Sequence, residues 1–86
     1  MNPTFRLAES HDIPALHVLI EAFYKTEHLT FSEATRVALR HLVTDGTLGR
    51  VYLIMADETI AGYLVLTFGF SLEFHGRDAF IDEFFI

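Results

Sequence analysis

Apolar residues follow two different rhythms along this chain. Between residues 13 and 42 they recur at spacings of three and four, and from residue 50 onward they gather into three dense blocks. Ile13, Leu16, Ile20 and Phe23 make one apolar face of a helix running to about Lys25. Ser10 or Asp12 offers a side-chain oxygen to cap it, and Pro14 falls in its first turn, where a missing N–H is tolerated. Glu21 and Lys25 are placed for an i,i+4 pair on the outer side. Thr30-Phe31-Ser32-Glu33 has the form of a capping box opening a second helix. That helix is expected to turn Ala34, Val37, Ala38 and Leu42 inward and Arg36 and Arg40 outward, and to stop on a left-handed Asp45-Gly46.

Strands account for the rest. Phe5-Arg6-Leu7-Ala8 alternates briefly after a loose start over residues 1–4. RVYLIMA (50–56), TIAGYLVLTF (59–68) and DAFIDEFFI (78–86) are separated by Asp57-Glu58 and by a polar stretch around Phe74-His75-Gly76-Arg77, which predicts three sequential antiparallel strands. The order β-α-α-β-β-β gives an α+β fold with two helices on one face of a mostly antiparallel four-stranded sheet. On the last strand Ala79, Ile81 and Phe85 are expected to point one way and Phe80, Phe84 and Ile86 the other, so both faces receive apolar groups. Two helices cover one face. The other calls for a further helix or a second molecule, and an apolar strand such as Phe84-Phe85-Ile86 invites pairing if left at an edge.

Composition sharpens this. Eighty-six residues make one domain, and 51% hydrophobic side chains exceed what a self-sufficient domain of this size needs. A net charge of −6 disfavours nucleic-acid backbones and favours cationic or amine partners. No apolar run approaches the roughly 18 residues of a membrane span, and the reading is cytoplasmic with no membrane partner. The absence of cysteine excludes disulfides, a thiolate nucleophile and thiolate-bound zinc. His11, His17, His28, His41 and His75 show no i,i+4 or H-x-H spacing, so no metal is expected. His17 is instead placed to pair with Glu21.

Asp12-Ile13-Pro14-Ala15-Leu16, the Gly62-Tyr63 strand start and the passage Ser71 to Ile86 together resemble the N-terminal half of a GNAT-family N-acetyltransferase. That resemblance implies acetyl transfer from acetyl-CoA to an amine, with the backbone of Phe84, Phe85 and Ile86 touching the cofactor. It also implies Glu83 or Asp82 as proton relay, and an acceptor substrate near Tyr24 and Phe70. Read this way, residues 1–86 are a single truncated acetyltransferase-like domain. No glycine-rich pattern that cradles phosphate is present and the basic residues are scattered, so the chain alone is expected neither to hold acetyl-CoA tightly nor to turn over. Asp82 and Glu83, adjacent on a strand, should face opposite sides and not act as a pair.

Three roles from different classes follow. The chain is an acetyltransferase component completed by a complementary chain, or a self-associating module, or a degenerate remnant. Self-association is expected through the C-terminal strand or the uncovered sheet face, giving a homodimer; a charge at Phe85 should break the dimer and the fold with it.

Overall fold

The computed structural model describes residues 3–86, so the start of the expected loose N-terminal segment lies outside the described residues. Strand β1 (Pro3–Leu7) leads through a 3-10 turn (Ser10–Asp12) into helix α1 (Ile13–Thr26) and helix α2 (Glu33–Thr44). Strands β2 (Gly49–Ala56), β3 (Thr59–Ser71) and β4 (Gly76–Phe85) complete a four-stranded sheet in the order β1-β2-β3-β4, antiparallel throughout. The α+β class, the two helices and the antiparallel sheet are therefore as the periodicity predicts.

Both helices pack on one face. Leu16 and Ile20 of α1 and Leu39 of α2 meet Val51 and Leu53 of β2 and Tyr63 and Val65 of β3 in a single buried cluster. The α1 face is the predicted one. In α2 Leu39 is buried and Leu42 packs beside it, as expected of Leu42, whereas Ala34, Val37 and Ala38 are exposed; the helix also begins two residues later than the Thr30 box implies. Ser32 is its N-cap: the Ser32 hydroxyl accepts from the Thr35 N–H, and Thr35 Oγ1 accepts in turn from the Ser32 N–H. The helix leaves through an extended Asp45 instead of a left-handed glycine, since Asp45 Oδ1 accepts from the Thr47 N–H and hydroxyl and closes the turn itself. Neither Glu21–Lys25 nor His17–Glu21 is among the ion pairs of the described residues; His17 lies against Arg36 and edge-on to Phe31.

Asp12 does not cap α1 with its side chain. Its buried carboxylate accepts two hydrogen bonds from the Arg6 guanidinium, at 2.9 and 3.0 Å, and one from the Glu9 N–H, tying β1 to the start of α1. Arg6, above all, holds the Asp12 carboxyl below the usual carboxylate range. Because the folded-state pKa is depressed, the stabilisation is present above the unfolded value near 3.8 and is lost as pH falls through the folded value. Asp12→Asn is expected to cost about 2 kcal/mol in urea unfolding at neutral pH, and the gap to wild type should close on acidification.

Candidate functional site

The sheet presents two features outside ordinary core packing. The first lies on β4, where Val65 pairs with Glu83 and Leu66 with Ile81, leaving Asp82 as the extra residue of a β-bulge. The bulge reverses the alternation expected of a regular strand. Asp82 and Glu83 line one cleft of about 100 Å³, walled by Ile20, Tyr24, Leu39 and Val65. Glu83 is held from both sides: Oε2 accepts from the Tyr24 hydroxyl at 2.5 Å and Oε1 from the Tyr63 hydroxyl at 2.8 Å. Tyr63 is fully buried, its ring against Phe23 and Phe85.

Burial first, and the Glu83 carboxylate second, push both phenols well above their ordinary value. A raised folded-state pKa means stability that is whole below the unfolded phenol value near 10.0 and is lost as pH rises through the folded value. Tyr24 and Tyr63 should therefore ionise together with alkaline unfolding, read as tyrosinate absorbance tracking loss of circular dichroism. At neutral pH, Tyr63→Phe is expected to lower stability by about 1.5 to 3 kcal/mol in urea unfolding, the worth of a hydrogen bond to a charged group.

Sequence reasoning joined Glu83, Tyr24 and Phe70; the fold joins only the first two and adds Tyr63. Phe70 stands 74% exposed towards the tip of the long β3–β4 hairpin. Phe84, Phe85 and Ile86 also separate. Phe85 pairs with Tyr63 and packs on Phe23 under the helices, Phe84 pairs with Leu64 and faces away from them, and Ile86 lies past the strand, exposed. Among the described residues, strand β4 pairs on one side only, so its outer backbone groups near Phe84 have no strand partner. The two arginines that converge, Arg50 and Arg77, lie towards the β3–β4 turn.

The second feature is the sheet face away from the helices. Register places Phe5 and Leu7 of β1, Tyr52 and Ile54 of β2, Leu64, Leu66 and Phe68 of β3, and Ala79, Ile81 and Phe84 of β4 on it. The bulge also corrects the expected facing of β4, putting Ile81 with Phe84 on this side and Phe85 on the other. Phe5, Leu7, Ile81 and Phe84 are each 48–66% exposed, and a shallow apolar hollow lies between Phe5, Tyr52, Leu64 and Leu66. At one end Arg50 and Arg77 both stack on Phe68, at 5.2 and 5.8 Å from its ring centre. At the opposite end is the exposed Asp57-Glu58 turn joining β2 to β3.

Glu9, His11 and Asp12 also approach one another, within 4.8 Å between possible ligand atoms, a grouping that the histidine spacing did not reveal. Both Asp12 oxygens already accept from Arg6. Among the described residues, no helix is long and apolar enough to cross a membrane.

Compared with known proteins, the chain is similar to a crystal structure from the mobile metagenome of Cole Harbour Salt Marsh, the integron cassette protein HFX_CASS3. The two share 35% identity and a TM-score of 0.86 over 95% of this chain, which spans 55% of that one. No known family profile and no curated protein matches the sequence. These findings correct the acetyltransferase resemblance: the structural neighbour is a cassette protein, and nothing points to half of an N-acetyltransferase. The physical reason lies in the residues that carried it. An amphipathic helix opening with Pro14 and a strand–turn–strand passage from Ser71 to Ile86 are what any two-helix, antiparallel-sheet protein requires.

Proposed function

We propose that this chain is a self-associating module whose working form is a homodimer joined through the uncovered sheet face. One observation carries the proposal: apolar residues from all four strands lie on a face that no helix of the described residues covers, four of them about half exposed or more. A monomer seldom leaves a contiguous patch of this kind in water. Four strands ~4.8 Å apart and ~8 residues long make a face of roughly 500 Å² in projection, before side-chain relief is added. That approaches the ~800 Å² per partner of a stable interface. A second copy is the occupant that matches, being apolar over the same outline and forming a sandwich of two sheets with an inner core. Sedimentation equilibrium of the chain should give twice its 9.8 kDa mass at micromolar concentration. A folded species of 9.8 kDa throughout would overturn the proposal and turn the search to a complementary chain.

The Glu83 cleft favours a second reading, binding of a primary ammonium group. A carboxylate fixed between two hydroxyls, beside Asp82 and against apolar walls, is suited to an ammonium group carrying a short apolar body. This reading expects saturable binding of a primary alkylamine that Glu83→Gln abolishes. Equal binding by wild type and Glu83→Gln would dismiss it.

A further inference from the structure

Resting on the dimer proposed above, we infer that the two copies stack with their strands antiparallel, so that the Asp57-Glu58 turn of each enters the Arg50–Phe68–Arg77 cleft of the other. The face carries its charge at its ends. Arg50 is the second residue of β2 and Arg77 the second of β4, both leaning on the Phe68 ring. Their guanidiniums are oriented by backbone carbonyls, Arg50 donating to those of Gly46 and Gly49 and Arg77 to that of Thr47 at 3.0 Å. Neither makes a salt bridge among the described residues. Two like charges converging on one ring repel unless an anion joins them, and the remaining N–H groups of each fork are suited to a carboxylate. The cleft between them is about 420 Å³ and is lined also by Asp78, which makes no salt bridge with either arginine among the described residues, so both guanidiniums stay available to acidic side chains.

Asp57 and Glu58 supply that chemistry at the other end of the same face. From Arg50 to Asp57 is seven residues along β2, roughly 23 Å at ~3.3 Å each. This is well beyond a screening length of ~8 Å, so within one copy the two ends act as separate charges. Two face-to-face arrangements with a two-fold axis in the interface plane are available. An axis parallel to the strands would lay arginines over arginines and acids over acids. An axis across the strands, passing near Ile54 and Leu64, lays each acidic turn over the partner's arginines and makes the contact twice. Only the second brings opposite charges together while keeping the apolar centre in register, and like charges held opposite one another are the stronger penalty.

Because the chain has no cysteine, single cysteines can report the arrangement directly. Glu58→Cys and Arg77→Cys, mixed under mild oxidation, should cross-link predominantly as the 58-to-77 pair between copies. In addition, Asp57→Lys/Glu58→Lys and Arg77→Glu should each weaken the dimer at least tenfold, while their equimolar mixture recovers most of the affinity as a heterodimer. Cross-links of 58 to 58 and 77 to 77, or charge variants that dimerise like wild type, would overturn the antiparallel arrangement with the dimer intact. A wild type that stays monomeric removes the underlying proposal instead. Should Arg77→Glu fail to fold, the cysteine pair, which tests the same juxtaposition, decides alone.

Discussion

Phe84→Lys is expected to dissociate the homodimer by at least about a hundredfold while leaving the monomer folded. Phe84 is 51% exposed on the uncovered face, so about half of its burial is still to be gained, worth roughly 1 to 1.5 kcal/mol per copy. Two-fold symmetry counts the substitution twice, and roughly 1.4 kcal/mol is a factor of ten in affinity. Desolvating the introduced ammonium adds to the loss. The measurement is the dimer dissociation constant by sedimentation, with urea unfolding of the monomer alongside. Val18→Lys serves as control: Val18 is 69% exposed but lies on α1, and its replacement should leave dimerisation unchanged. The edge substitution suggested by sequence, Phe85→Lys, tests something else. Phe85 packs on Phe23 and Tyr63 in the covered core, so a charge there should unfold the chain and say nothing about association.

The second large effect is expected at Gly62. A Cβ added there would overlap the Phe85 carbonyl oxygen at the end of β4 and stand 2.9 Å from the Ile86 Cα just beyond it, both backbone atoms. The demand is for space, since Gly62 is not in a left-handed conformation. Gly62→Ala must push the end of β4 away from β3, undoing the Tyr63–Phe85 pairing and loosening Glu83 from the Tyr63 hydroxyl. Overpacking against backbone, which cannot rotate aside, is expected to cost about 3 kcal/mol. For a domain of this size that is a fall in Tm of roughly 12 to 24 °C. Gly76→Ala gives the contrast. A Cβ there meets only the Phe74 carbonyl oxygen at 4.0 Å, so the change should be neutral or stabilise by up to about 1 kcal/mol through the unfolded chain. Equal losses at the two glycines would refute this account.

The elements themselves are local matters, which is why they were legible. A 3.6-residue recurrence from Ile13 to Phe23 leaves few alternatives to an amphipathic helix, and the three apolar blocks after residue 49, broken by Asp57-Glu58 and by the Ser71–His75 turn, leave few to an antiparallel meander. Caps were less legible. Thr30/Glu33 and Ser32/Thr35 both place side-chain oxygens at capping distance in sequence, and the choice between them depends on where Phe31 packs, against Tyr24 and under Arg36.

Sequence by itself determined the class, the element order and the surplus of apolar surface, because each follows from side-chain period and from how many helices exist to cover a sheet. Tertiary structure decided the site. One extra residue at Asp82 reversed the facing of β4, which no periodicity announces. The same bulge set Glu83 between Tyr24 and Tyr63, partners 59 and 20 residues away. Arg50 and Arg77, scattered in sequence, share the ring of Phe68 only because β2, β3 and β4 lie side by side, since register, and not sequence distance, determines which charges meet.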